Sequence, residues 1–355
     1  MKKLLAVSML TALFFGGCTF GRLDDDKKDS VNQSSEPTTI TLYAYDSLTA
    51  DYGLLPQMLT QFEEDNNAKV KVVSFDDTGT MLGQVIQEKD KPKADLVMGL
   101  DNVDYIQVSK NDIFTSYKSG LSEEIGDKLK FGNDNLMTPF DFGYIGFVYD
   151  TEAIEFPEAI SLTDLSTDTY RDKVIIEQAG ISSPGTQLLL WTNAALGDND
   201  ADIFWRGMAR NVLTVAPDWT TAYYSMFLND EAPIVLSYLT SPAYHIDQEQ
   251  TERYAAVPIK EGYVRQIEGI GIVNGTEQKE LAQNFVDYLL TDEVQNKIPT
   301  TQWMFPVLGN ESEWPEAFNK IIVPEKKQIL SIPEDELTAN LDQWLKEWNQ
   351  TFSIQ

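Results

Sequence analysis

The sequence predicts an α/β protein of two lobes, joined by strands that cross between them. Strand-like and helix-like patterns alternate from residue 39 onward, the mark of parallel pairing with right-handed crossovers. The 355 residues are enough for two cores of ordinary size. No Pro/Gly-rich linker separates two halves, which suggests shared strands rather than a tether between domains.

The elements follow in order. Ile40-Thr41-Leu42-Tyr43-Ala44-Tyr45 begins as an apolar/polar alternation rich in β-formers and predicts a first strand. Leu54 to Phe62 has helical spacing, and Val70-Lys71-Val72-Val73 reads as a second strand. Thr80 to Glu88 is helical, and Ala94-Asp95-Leu96-Val97-Met98 is a third strand. Tyr144 to Tyr149 and Val174-Ile175-Ile176 are further strands. Gly185 to Leu196 is a helix, with Ser183 as its expected N-cap and Pro184 in its first turn. Thr220 to Leu228 is helical and Ile234 to Tyr238 is a strand. Glu277 to Leu290 is amphipathic, and Trp344 and Trp348 sit four residues apart on a final amphipathic helix.

The N-terminus predicts export. Met1-Lys2-Lys3 is a basic start, and Leu4 to Phe15 is too short an apolar run to anchor stably across a bilayer. Gly16-Gly17-Cys18 closes it in the manner of a bacterial lipobox. Residues 1–17 are therefore expected to be a lipoprotein signal peptide, with a lipid on Cys18 holding the protein to the membrane from outside the cytoplasm. Residues 18–38 are polar and Ser-rich without apolar period, as expected of a tether.

Composition narrows the chemistry. Lys and Arg total 27 against 56 Asp and Glu, a net charge of −29 that repels nucleic acid and favours cationic partners. With one Cys and one His, zinc sites built on thiols or on two histidines lack ligands. No G-x-S-x-G motif accompanies His245, so a serine triad is not supported, and no catalytic residues or metal ligands are assigned.

Ligands of open α/β sheets bind beyond the carboxyl ends of strands, so the segments after each strand carry the candidate site. They contain Tyr45 with Asp46 and Ser47, then Asp76 with Asp77, then Asp101 with Asn102. Further on come Ser182, Ser183 and Gly185 at a helix start, Trp219 with Tyr223 four residues later, and Tyr238 with Tyr244 beyond it. Aromatic faces stack on heterocycles and attract cations. Carboxylates supply counter-charge, and the Ser183-Pro184 helix start offers backbone N–H groups suited to a phosphate. Together they describe a pocket for a flat cation, with or without a phosphate.

At these residues the chain resembles the thiamine-binding periplasmic protein family, a branch of the type II solute-binding proteins, from about residue 39 to the C-terminus. The resemblance rests on Tyr43-Ala44-Tyr45-Asp46-Ser47, on Ala94 through Asn102, and on Pro139-Phe140-Asp141-Phe142-Gly143-Tyr144. It continues through Ser182-Ser183-Pro184-Gly185, Leu188 through Trp191, Leu236 through His245, and Ile298 through Val307. It implies a two-lobed type II periplasmic binding fold, with mixed, mostly parallel sheets and a hinged interlobe cleft. The lobes would take 39–138 with about 264–300, and 139–263, leaving 301–355 as a C-terminal helical segment. It implies a monomeric binding protein without cofactor that captures thiamine, or its mono- or pyrophosphate, for an ABC permease and its ATPase. Carried over by position, Tyr45, Trp219, Tyr238, Tyr244 and Trp303 would line the pocket, and Asp77 would face the amino-pyrimidine or thiazolium. Ser182, Ser183 and the Gly185 backbone would take a phosphate or hydroxyl. Tyr52, where a Trp is familiar, and Asp76-Asp77-Thr78-Gly79, where Glu-Asp-Gly is, depart from the family pattern.

Other readings stand beside it. The adjacent Tyr223-Tyr224 pair fits a ferric-ion protein of the same fold, and carboxylates with aromatics suit a polyamine. Paired carboxylates among Asp46, Asp76 and Asp77 would serve a secreted hydrolase.

Overall fold

The strand Thr38–Tyr45 sends Ile40, Leu42 and Ala44 into one core and Tyr43 into another, the period-two pattern of a sheet covered on both faces. The computed structural model describes residues 36–352. Expectations for residues 1–17, for Cys18 and for all but the end of the tether lie outside them. The tether's expected last residue, Thr38, already belongs to the first strand.

Eight strands follow one path through a single sheet: 68–75, 38–45, 96–101, 263–273, 138–150, 234–238, 174–177 and 212–216. The three at the first end pair in parallel, and so do the three at the far end. Between them the pairings are antiparallel. The expectation of mostly parallel sheets thus describes the two flanks but not the middle.

The middle is where the halves join. The strand Thr138–Asp150 pairs with Tyr263–Val273 through residues 138–144 and with Ile234–Tyr238 through residues 145–149. One strand therefore serves both halves, as the missing linker suggested. Helix Leu54–Asn66 buries Leu54, Leu55, Met58 and Phe62 against the first half. Helix Ser183–Leu196 is buried along most of its length, and Trp191 Nε1 donates to the Gly262 carbonyl at 2.8 Å, fastening it beside the 263–273 strand.

Several elements depart from the sequence reading. The Thr220–Leu228 stretch is a π-helical turn over Thr221–Met226 followed by a 3₁₀ turn, not a regular helix. Helices Asp104–Asn111, Asp198–Met208 and Ser241–Gln248 were not anticipated, nor was the 263–273 strand. The C-terminal helix Glu334–Phe352 forms as expected. It buries Leu337, Leu341, Trp344 and Trp348 in the core that also holds Leu189, Phe204 and Trp205. Among the described residues no helix is long and apolar enough to cross a membrane.

Candidate functional site

A cavity of about 400 Å³ opens where strands 38–45 and 68–75 of one half and 234–238 of the other end. This is the position where open α/β sheets bind ligands. Tyr45, Asp77, Ser183 and Trp219 reach its wall, and so do Tyr223, Tyr238, Tyr244 and Trp303. Residues far apart in sequence are thus brought onto one cleft. Ser182 and Gly185 are buried beneath the wall instead.

Each ring has a structural reason for its place. Tyr45 ends its strand, and its hydroxyl donates to Glu268 Oε2 at 2.6 Å. Its ring lies against Gly99, which has φ of +102°, and a Cβ there would meet Tyr45 Cε1 at 2.3 Å. Only glycine accommodates both the backbone angle and the ring. Trp219 stacks on Tyr223 with centroids 5.2 Å apart and planes at 15°, and its Nε1 donates to Ser237 Oγ at 2.8 Å. Tyr238 donates to Gln266 Oε1 at 3.2 Å. Tyr244 and Trp303 meet edge to face at 5.5 Å. Trp303 has φ of +53°, a left-handed backbone that a bulky side chain rarely adopts and that marks functional positions.

The charge is one-sided. Asp46, Asp76, Asp77 and Glu268 face the cavity, and among the described residues no Lys, Arg or His lies on its wall. Burial is the main cause pushing the Asp46 and Asp77 carboxyls up, Asp77 to about 7, because charge is disfavoured away from water. Backbone N–H groups of Thr78 and Ser183, at 2.7 and 3.1 Å from Asp77 Oδ1, oppose that rise.

These contacts revise the expected helix start. The helix begins at Ser183 with Ser182 as N-cap, and no side-chain cap bond forms there. Ser183 instead gives its N–H to Asp77 and its hydroxyl to Asp101 Oδ2. Groups suited to a phosphate are therefore already committed to two carboxylates. Gly185 has a packing role, since a Cβ on it would meet the Glu177 carbonyl oxygen at 2.5 Å.

Both rings of the tyrosine pair reach the cavity wall, each with a partner of its own. Tyr223 OH lies 2.9 Å from His245 Nε2, and Tyr224 packs against Tyr52 with ring centroids 6.2 Å apart. Burial pushes both phenols up, so they keep their protons in the ligand-free protein. Among the described residues no group of three His, Cys, Asp or Glu side chains is placed to hold a metal.

One site residue was marked only as a departure from the family pattern, and one escaped the sequence. Tyr52, half exposed, joins Tyr224 on the cavity wall. Glu268 comes from the unanticipated 263–273 strand, and the alternation Gln266-x-Glu268, polar on an otherwise buried strand, is the signal that would have found it.

Residues 57–319 match the family model described as bacterial extracellular solute-binding protein. The thiamine-binding periplasmic protein of Escherichia coli K12 is 36% identical over 88% of this chain and 93% of its own length. A solved periplasmic thiamin binding protein superposes with a TM-score of 0.82 at 34% identity, covering 89% of this chain and 96% of that one. The apo ferric ion-binding protein A of Pasteurella haemolytica shares the fold, with a TM-score of 0.72 at 17% identity over 88% of this chain and 98% of its own. Proteins of this kind are the binding components of transporters, not catalysts, which sets aside the hydrolase reading. With its two-lobed type II fold and its interlobe cleft, the chain belongs to the thiamine-binding periplasmic protein family of bacterial extracellular solute-binding proteins.

Proposed function

We propose that this protein captures thiamine between its lobes and hands it to an ABC permease driven by a cytoplasmic ATPase. The observation that carries the reading is the cavity wall: aromatic rings with four carboxyl groups and, among the described residues, no cationic side chain. Thiamine joins an amino-pyrimidine to a permanently cationic thiazolium, which suits stacking and counter-charge together. The relatives named for thiamine support the ligand class.

Thiamine itself is the preferred form. A phosphate at the Ser183 helix start would face Asp77 and Asp101, and like charges repel. Lobe 1 takes 39–138 with about 264–300, lobe 2 takes 139–263, and segment 301–355 completes the cleft through Trp303. The mature protein is a monomer held outside the cytoplasm by a lipid on Cys18. Loss of membrane retention in Cys18→Ala tests the anchor.

The test of function is titration of residues 19–355 with thiamine, its mono- and pyrophosphate, ferric ion and spermidine, by calorimetry and tryptophan fluorescence. One-to-one binding of thiamine with quenching, and weaker binding of the phosphates, is the expected result. Silence with every thiamine form, with a response to iron or spermidine, overturns the ligand while leaving the fold.

A further inference from the structure

Glu268 lies on the cavity wall with 4% of its surface exposed. Tyr45 donates to its Oε2 at 2.6 Å and Gln266 Nε2 to its Oε1 at 2.8 Å. Directly opposite, on the 138–150 strand, is Asp141. Opposed residues of an antiparallel pair share a face, with Cβ atoms about 5 Å apart. Asp141 is fully buried, and neither of its carboxyl oxygens has a hydrogen-bond partner. Both residues sit on the strands that join the two halves.

The groups acting on Glu268 come from every side. They are the Tyr45 and Tyr238 phenols and the Asp141, Asp101 and Asp77 carboxyls. None is cationic. Arg265, on the same strand, lies over the Phe142 and Tyr144 rings instead. A buried carboxylate without donors is costly, so Asp141 keeps its proton. Burial first, and then the neighbouring acids, push Glu268 up to about 8 against its two donors, while Asp141 is pushed well above the carboxylate range. Of the pair, Glu268 is the one with donors ready for its ionised form.

We propose that Glu268 is the specificity-determining anion of the cleft: it reads the ligand's positive charge by giving up its proton as the cation enters, while Asp141 behind it stays protonated. The inference rests on the thiamine reading above. A quaternary thiazolium has no proton of its own to lose, so charge balance must come from the pocket. The Glu268 O–H bond breaks, its proton passes to the buffer, and the carboxylate is left beside the cation. An uncharged heterocycle of the same shape would bind without that exchange.

The experiment is calorimetry on the detergent-solubilised full chain at pH 7, in two buffers of different ionisation enthalpy. Wild type is expected to release about one proton per thiamine bound, and Glu268→Gln markedly less, the remainder coming from Asp77 on the same wall, with affinity lowered about 10- to 100-fold. Asp141→Asn, as neutral as the protonated acid it replaces, should bind thiamine and release a proton as wild type does. Thiochrome, the uncharged tricyclic oxidation product of thiamine, should bind wild type without release. Thiamine binding with no proton release, or equal release in wild type and Glu268→Gln, overturns this inference alone. Absence of thiamine binding by wild type overturns the thiamine reading and this inference with it. The thermal midpoint of each variant separates lost charge reading from lost folding.

Discussion

Asp77 Oδ1 accepts the backbone N–H of Ser183 at 3.1 Å, so a carboxylate at the end of the 68–75 strand caps a helix that starts on the other side of the cleft. The same oxygen accepts from Thr78 N–H at 2.7 Å and caps its own helix, and Gly79 N–H reaches the Ile181 carbonyl at 3.0 Å beside it. One side chain thus ties two helix starts together where the lobes meet. Orphan N–H groups at helix starts are stabilised by such an acceptor. Asp77→Ala should cost about 0.5–2 kcal/mol of stability in urea unfolding, the usual loss for a helix cap. It should also weaken thiamine binding, because closure loses its cross-cleft contact. Asp77→Asn, which keeps an acceptor oxygen, should recover most of the stability.

A second expectation concerns pH. Asp77 and Glu268 bind their protons more tightly in the folded chain than unfolded, at about 7 and about 8. For acids raised in this way, the associated stability is full below the ordinary carboxyl range. It is lost as pH rises through those two values. The thermal midpoint of the ligand-free protein should therefore fall between about pH 5 and pH 8. Glu268→Gln, which cannot ionise, should make that decline shallower. An identical slope in the variant would show that the buried glutamate ionises without cost.

The flanks of the fold were legible because their strands obey simple patterns. Ile40, Leu42 and Ala44 alternate with Tyr43, and Ile234 to Tyr238 is a short apolar run bounded by turn residues. The centre was not. The Tyr263–Val273 strand interrupts its pattern with Gly269 and Gly271, whose missing side chains make room for the Phe131 and Phe114 rings at 2.4 and 2.3 Å from a built Cβ. It also buries Gln266 and Glu268, which a strand reading rejects. Rules of local pattern fail where the chain spends its polar groups on a site. Most of the aromatic wall could be anticipated because Tyr45 and Tyr238 end strands and Trp219, Tyr223 and Tyr244 come after strand ends, whereas Trp303, on a turn after a helix, came only with the resemblance. The commitment of Ser183 to Asp77 and Asp101 could not, because it depends on how the two halves meet.

Gly185 separates two explanations of one residue. If its backbone serves a phosphate, Gly185→Ala should change the ranking of thiamine against thiamine monophosphate more than it changes folding. The structure points to packing: a Cβ would meet the Glu177 carbonyl oxygen at 2.5 Å and the Gln178 carbonyl carbon at 2.9 Å, both backbone atoms that cannot turn aside. Overpacking of this sort costs about 1–3 kcal/mol. Thermal unfolding of Gly185→Ala should therefore show a lowered midpoint, with the relative affinity for thiamine and its monophosphate unchanged.

Trp303 and Tyr238 reach the cavity from different directions and should differ in what else they support. Trp303 stands on the turn between helix Ile298–Thr301 and the short strand Phe305–Pro306, in a left-handed conformation. That backbone angle is unfavourable for a tryptophan and is tolerated because the ring is held by Tyr244 and Phe318, at 5.5 and 6.4 Å between centroids. Tyr238 ends a central strand and bonds Gln266, which in turn holds Glu268. Removing either ring takes away one stacking face, worth about 1–3 kcal/mol of binding. Trp303→Ala and Tyr238→Ala should each weaken thiamine binding by that amount in calorimetry. Only Tyr238→Ala should also shift the pH dependence of binding, since it releases the glutamine that steadies Glu268. Unchanged affinity in both variants would remove this cleft as the thiamine site, because both rings stand on its wall.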